Sequence, residues 1–218
     1  MARDLYISKG LSAATIEGIA KATRSLCDIS EDEDFDILHF LEVDILRIFP
    51  DFYLFVEEDF HMDGSQAFVT EDSTGIVVAE SVYNDARAGL FYARKILAHE
   101  FGHVLLHHNR GYETKHSTRL GYVKQLAKMD TFNSAEWQAD TYAILLLLPT
   151  KHRWSEAELR QKYKISVNQA KFVASRIESI RRRSDTYSRE DVISVLETIK
   201  YSCNVRAEKP EYQYSFFA

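Results

Sequence analysis

Residues 98–108 read Ala-His-Glu-Phe-Gly-His-Val-Leu-Leu-His-His, and this stretch restricts the fold more than any other part of the chain. His99 and His103 are four residues apart, so a helix places them one turn apart on the same face. There, two imidazole nitrogens can bind one metal ion while Glu100 approaches the ion from the side as a general base. An interior Gly102 disfavours a helix and indicates that another segment or a substrate packs closely at this point.

A catalytic zinc needs a third protein ligand and keeps its fourth position for water. Glu136 and Asp140 are four residues apart at the start of an apolar helix, so both project from one face. We predict that Glu136 binds the ion and that Asp140 accepts the remaining N–H of a ligating histidine. In an alternative reading, Asn133 and Glu136 form a capping box and Glu136 only caps its helix. The rival third ligands are His107, Glu113 and His116.

Composition limits the class of protein. The 218 residues are 45% hydrophobic and 28% charged, with a net charge of -6, which predicts one compact domain with an appendage, or two small ones. The longest apolar run, 143–148, is too short to span a bilayer. The first ten residues lack the apolar stretch of a secretory signal, and Cys27 and Cys203 could form at most one disulfide. We therefore expect a cytoplasmic protein without membrane contact.

Hydrophobic periodicity predicts a mostly helical chain with one early sheet. Helices are predicted over 12–27, 35–48, 86–108, 120–129, 134–148, 155–163, 167–183 and 189–201. Short β-branched or aromatic runs predict strands over 52–56, 66–70 and 75–79, separated by turn residues. Because the strands cluster early instead of alternating with helices, the expected class is α+β with a small three-stranded antiparallel sheet.

The two motif helices together resemble the ImmA/IrrE family of metallopeptidases. The residues that carry the resemblance are His99-Glu-Phe-Gly-His-Val-Leu-Leu-His107, Glu136-Trp-Gln-Ala-Asp140 and Leu146-Leu-Leu-Pro149, and the likeness extends over about 35–180. It implies a zincin-like core over 1–150, in which His99, His103 and Glu136 hold Zn²⁺ or another divalent metal and Glu100 is the catalytic base. The characterised substrates of that family are helix-turn-helix repressors, so the implied partner is a repressor protein.

Peptide hydrolysis also needs a donor that stabilises the oxyanion. The sequence leaves this role open among several side chains, namely Tyr112, His116, His107, His108 and Tyr83. The substrate is expected to lie as an added strand along an edge of the small sheet.

The chain after residue 150 differs in charge from the rest. Residues 151–183 carry ten Lys and Arg against three Glu, a net +7, so the remaining residues carry -13. Within the segment 151–218, two short predicted helices over 155–183 resemble a helix-turn-helix. Plain packing, docking of a partner and, less favoured, DNA binding are all open. Two alternative functions follow: a non-catalytic zinc-binding interaction module, and a DNA-binding regulator acting through 155–183.

Overall fold

The computed structural model describes residues 10–30, 32–71, 73–107, 131–149, 152–182 and 187–197. Its α-helices are α1 (Ala13–Ser25), α2 (Ile37–His39), α3 (Glu80–Arg87), α4 (Phe91–His107), α5 (Ala135–Leu147), α6 (Glu156–Tyr163) and α7 (Val167–Arg182). Residues 189–197 are also helical. The strands are β1 (Tyr53–Glu57), β2 (Ala67–Val69) and β3 (Gly75–Ala79). The α+β class and the helical C-terminal segment are confirmed, whereas the helix predicted over 120–129 lies outside the described residues.

The helix predicted over 35–48 is less regular than its periodicity suggests. Asp36 caps α2 by accepting from two backbone N–H groups, after which Phe40–Asp44 form a π-helical turn and Ile45–Arg47 a 3-10 turn. The Glu33 side chain does accept from the backbone N–H of Ser30, at 3.1 Å, but this bond closes a turn that precedes the helix. The helix therefore begins after this turn, at the Asp36 cap.

The sheet is mixed, which corrects the antiparallel prediction. Its strand order is β1-β3-β2, with β1 parallel and β2 antiparallel to β3. The most apolar strand, β3, buries Ile76 and Val78 and takes the middle, while the edge strands expose Phe55 and Phe68. β1 and β2 follow each other in the chain but do not pair. β3 lies between them, in the central position where burial of apolar surface is greatest.

The core of the molecule is the pair α4 and α5, with α1 on the other side of α5. From Tyr142 onward α5 is apolar, and the helix is buried on nearly all sides. Gly102 sets the spacing of the pair, because a Cβ there would lie 3.2 Å from the Cα of Ala139. The close approach predicted at Gly102 is thus made by α5.

The predicted helix over 86–108 is two helices. α3 ends at Arg87 and α4 begins at Phe91, and Gly89 between them has a φ of +82°. That left-handed conformation breaks the helix and suits glycine, which lacks a Cβ. None of the described helices combines the length and apolarity needed to cross a membrane.

α6 and α7 form the two-helix unit expected over 155–183. Ser155 and Glu158 make a capping box at the start of α6, and Lys164 turns the chain in the left-handed conformation before α7. α7 buries one stripe of four side chains (Ala170, Val173, Ile177 and Ile180) and contacts α5. One face of the basic segment is therefore packed on the body. The boundary predicted at 150/151 stays a prediction.

Candidate metal centre

The two motif helices bring three potential ligands to one point. α4 carries His99 and His103 on one face, and α5 carries Glu136 in its first turn. Ser134 caps α5 by accepting from the backbone N–H of Trp137 at 3.1 Å. Glu136 is thus not the partner in a capping box with Asn133, and its carboxylate faces the histidines instead.

The distances within this cluster are short and nearly equal. The Nε2 atoms of His99 and His103 are 3.1 Å apart. Glu136 places one carboxylate oxygen 3.3 Å from Nε2 of His99 and the other 3.4 Å from Nε2 of His103. His99, His103 and Glu136 form a group of side chains whose ligand atoms lie close enough together to hold a metal ion. It is the one such group of His, Cys, Asp and Glu among the residues that the structure describes.

These distances can be compared with the size of a bound ion. Zinc binds imidazole nitrogen and carboxylate oxygen at about 2.0–2.1 Å, so a tetrahedral site has ligand atoms about 3.3–3.4 Å apart. The three observed separations fall within about 0.3 Å of that edge length. The nitrogen and oxygen donors also suit zinc and its neighbours in the first transition row. His99, His103 and Glu136 can therefore hold such an ion with little movement.

His99 is held by two residues on the far side of its ring. Its Nδ1 lies 3.3 Å from Oδ1 of Asp140, and the same oxygen accepts from Nζ of Lys95 at 2.5 Å. The contact predicted between Asp140 and a site histidine is therefore present. Lys95 was missed in the sequence, although it lies four residues before His99 and therefore on the same helical face.

His103 is held by a chain of polar groups. Its Nδ1 lies 2.9 Å from Nδ1 of His107, whose Nε2 lies 3.2 Å from Oε1 of Gln138. Gln138 in turn donates from Nε2 to the carbonyl oxygen of Phe132 at 2.5 Å. The two ring nitrogens of His107 are thus engaged by Nδ1 of His103 and by Gln138, which argues against His107 as the third ligand. Gln138 was missed because nothing in its spacing separates it from an ordinary polar residue on α5.

The charges in the cluster shift one another's pKa. Burial lowers the pKa of His99, but hydrogen bonds to Asp140 and Glu136 outweigh it and raise the value to about 9. Hydrogen bonds from His103 and His99 hold the pKa of Glu136 well below its usual range. Burial raises the pKa of Asp140, but the hydrogen bond from His99 and the charge of Lys95 lower it to about 2.

Glu100 is in a different electrostatic position. Burial raises the pKa of its carboxyl above the usual value, and the nearby charge of Glu136 adds to this, while His103 and His99 act in the opposite direction. A carboxylate with a raised pKa is a better proton acceptor than an ordinary surface glutamate. The chemistry that this arrangement allows is proton transfer next to a metal site.

The candidates for oxyanion stabilisation are only partly described. Tyr83 lies on α3 and donates its hydroxyl to Glu42 at 2.6 Å, a contact outside the cluster. His107 is occupied by His103 and Gln138, as above. Tyr112, His116 and His108 lie outside the described residues, as does the rival ligand Glu113.

Two histidines and a glutamate on an HExxH helix and its neighbour form a site of the metallopeptidase type. Residues 61–175 match the Peptidase_M78 family model, described as "IrrE N-terminal-like domain". The match spans just over half of the chain, and the chain belongs to this family of peptidases. The resemblance inferred from the motifs is thus confirmed. No curated protein and no solved structure gives a significant match.

Proposed function

We propose that this chain is a zinc-dependent endopeptidase that cuts a peptide bond in a regulatory protein. The observation that carries the proposal is the cluster of His99, His103 and Glu136, whose ligand atoms are separated as a tetrahedral ion requires. Family membership supports the peptidase activity and a metal cofactor. A helix-turn-helix repressor as substrate rests on the resemblance to ImmA/IrrE proteins.

The hydrogen bonds around the two histidines are consistent with this role. If both bind through Nε2, each keeps its proton on Nδ1. His99 then donates to Asp140, and His103 donates to Nδ1 of His107. His107 must carry its own proton on Nε2, from which it donates to Gln138. Each donor meets an acceptor, so these hydrogen bonds fix both ligand rings in the orientation that an ion needs.

The proposed reaction gives each of these residues one role. A zinc ion held by His99, His103 and Glu136 would supply an acidified water and polarise the scissile carbonyl. Glu100 takes the proton of the attacking water and then delivers it to the leaving amine. Its buried carboxyl has a raised pKa, which favours holding that proton between the two steps. The water attacks the carbonyl carbon, the C–N bond breaks, and the products are a carboxylate and an amine.

The edge of the sheet next to the site is a suitable place for the substrate. β2 pairs with β3 on one side, packs against α4, and has no strand on its other side among the described residues. An extended peptide could hydrogen-bond to that edge as an added strand. It would then lie alongside α4, where His99 and His103 are found.

The first test compares wild type with Glu100→Gln, each loaded with zinc and incubated with candidate repressors. Loss of the general base should lower kcat by about 10²- to 10⁴-fold with metal binding retained. Glu58→Gln, an exposed glutamate just after β1, serves as control and should cleave like wild type. Equal cleavage by wild type and Glu100→Gln would contradict the proposed base.

The second test measures bound metal in His99→Ala, His103→Ala, Glu136→Ala and His107→Ala. The first three should each lose most of their zinc at equal free metal concentration, whereas His107→Ala should keep a weakened site. A zinc-binding protein whose biological effect survives Glu100→Gln would favour the non-catalytic interaction module.

DNA binding through 155–183 is the less supported alternative. α6 and α7 have the helix-turn-helix form, in which the N-terminal residues of the second helix contact base edges. In this chain those residues of α7, Asn168 and Gln169, line a cavity next to α4. A gel shift that weakens steeply with salt would support the DNA-binding regulator, and no shift at low salt would remove it.

A further inference from the structure

A cavity of about 480 Å³ lies between the first half of α4 and the start of α7. Tyr92 and Ile96 of α4 form one wall, and Phe172 and Val173 of α7 form the other. Pockets of 300–1,000 Å³ commonly hold small ligands or side chains. Phe172 is 44% exposed although it is large and apolar, so part of the cavity wall is open to an occupant.

The cavity lies next to the candidate metal centre along α4. Ile96 lies three residues before His99 on α4, so the two side chains are neighbours on the helix surface. Lys95 joins both regions, because it lines the cavity and donates to Asp140, which holds His99. Gln66 also lines the cavity and directly precedes β2, the edge strand proposed to pair with the substrate. A peptide on that edge would pass the mouth of the cavity close to its scissile bond.

The α7 wall is held in place by alternating cations and aromatic rings. Nζ of Lys95 lies 5.6 Å from the ring centre of Phe172, and the guanidinium of Arg176 lies 5.4 Å from the same ring. Arg176 also lies 5.9 Å from the ring of Trp137, the neighbour of Glu136 on α5. Such contacts are favourable. They connect α7 with both helices of the metal centre, so the wall keeps its place relative to the ligands.

The lining indicates which side chain would fit. The described residues around the cavity include no carboxylate, and their one cation, Lys95, is engaged by Asp140. A lysine or arginine entering the cavity would find no counter-charge and would lose its hydration, which is costly. A large apolar side chain would instead cover the exposed ring of Phe172 and gain from burial.

We propose that the cavity between α4 and α7 is a substrate subsite for a large apolar side chain, aromatic or branched aliphatic, adjacent to the scissile bond. Phe172 is its specificity-determining residue. This inference rests on the proposed peptidase function and gives the basic C-terminal segment a part in substrate selection.

The test uses a library of short peptides of randomised sequence, digested by the zinc-loaded full chain, with the new termini read by mass spectrometry. Wild type should favour a large apolar residue at one position next to the cut and reject Lys and Arg there. Phe172→Ala should lower kcat/KM for the favoured peptides by roughly tenfold or more, the usual range for an apolar pocket. Phe55→Ala removes a similarly exposed ring from β1, two strands away from β2, and should leave the preference unchanged.

A gain of function provides a second test. Asn168 is exposed, lines the cavity and lies in the first turn of α7, where an aspartate is tolerated by the helix dipole. Asn168→Asp should therefore admit Lys or Arg at the selected position by supplying the missing counter-charge. Cleavage that shows no preference in wild type, or a preference unaffected by both Phe172→Ala and Asn168→Asp, would overturn the subsite while leaving the peptidase function intact.

A binding measurement separates this inference from the peptidase proposal. Fluorescence anisotropy follows the binding of a labelled peptide pool, rich in Leu, Phe and Tyr, to Glu100→Gln with and without Phe172→Ala. The double variant should bind roughly tenfold more weakly. If wild type cuts nothing but this loss is seen, the cavity binds peptide and the proposed peptidase function fails. If both proteins bind equally, the subsite is wrong.

Discussion

The two halves of α4 differ, because one carries a network of polar contacts and the other lines a cavity. From His99 to His107 the polar groups that face α5 are joined in short contacts, with His99 meeting Asp140 and His103 meeting His107. From Phe91 to Ile96 the same helix opens onto the cavity shared with α7. The difference fits two tasks, since a metal site needs fixed atoms and a subsite needs space that a side chain can enter.

We call the part of α4 from His99 to His107 the closed half. The first test of this comparison removes a hydrogen-bond partner of one of its histidines. Asp140→Ala deprives His99 of its acceptor and should lower zinc affinity about 10- to 100-fold, the usual effect of losing such a partner. Competition with a chelating dye measures it. Asp34→Ala is the matched control, because Asp34 accepts from Lys162 at 2.9 Å in another Lys–Asp pair, without a histidine of the metal centre. Equal zinc affinity in Asp140→Ala and wild type would show that His99 needs no such support.

The closed half should also respond to pH. In the metal-free protein the pKa of His99 is raised from 6.5 to about 9, so its ring is protonated at neutral pH. Zinc must displace that proton, and log affinity should therefore rise by about one per pH unit between about pH 6.5 and 8.5. Calorimetry in buffers of different ionisation enthalpy should give about one proton released per ion at pH 7. Release of no proton would contradict the raised pKa.

The same shift affects the fold before metal is bound. A raised pKa means that the folded state binds the proton more tightly than the unfolded state. The protonated ring therefore stabilises the metal-free protein fully below about pH 6.5, and this contribution is lost as the pH rises through about 9. Thermal unfolding of the metal-free protein, with Asp140→Ala as comparison, would measure the difference.

The cluster of His99, His103 and Glu136 was predictable from the sequence because it depends on local spacing. His99 and His103 need only a helix, and Glu136 and Asp140 need only a second one that packs on the first. Lys95 and Gln138 escaped prediction because a lysine or glutamine at such spacing is common on any helix. The cavity could not be predicted at all, since it exists only where α7 returns to α4.

The sheet shows the same limit. Each strand was predicted close to its observed place, because β-branched and aromatic runs are a local signal. Which strands pair is decided by burial in three dimensions, and with the apolar β3 at the centre the sheet is mixed instead of antiparallel as expected. Gly89 separates α3 from α4 in the middle of a run of helical periodicity. Leu90, which follows it, adds no strong stop signal of its own.

A milder change tests how far the support of His103 extends. Gln138→Leu keeps the size of a buried side chain but removes the acceptor of His107. Because Gln138 acts on His103 only through His107, whereas Asp140 contacts His99 directly, zinc affinity should fall only by roughly threefold to tenfold. The same chelator competition measures it. A loss as large as that of Asp140→Ala would mean that the two ligands depend equally on their partners.

The smallest effect is expected where the two helices touch. Gly102→Ala favours the helix by about 1 kcal/mol, but its Cβ would lie 3.2 Å from the Cα of Ala139, and backbone gives way only by a shift of α5. We expect the free energy of unfolding to change by less than about 1 kcal/mol, because the two effects oppose each other. Since α5 carries Glu136, zinc affinity should fall a few-fold.

Gly18→Ala in α1 is the matched control for this change. A Cβ at Gly18 would lie 2.6 Å from the ring of the exposed Tyr187 and 3.1 Å from Cγ2 of the buried Val192, so side-chain contacts, and not the backbone of α5, oppose the gain in helix propensity. Gly18→Ala should also change the free energy of unfolding by less than about 1 kcal/mol, but it should leave zinc affinity unchanged, whereas Gly102→Ala should lower it. If Gly102→Ala binds zinc as tightly as Gly18→Ala and wild type do, the spacing of α4 and α5 is not what positions Glu136. The closed half of α4 would then owe its geometry to the side-chain contacts alone.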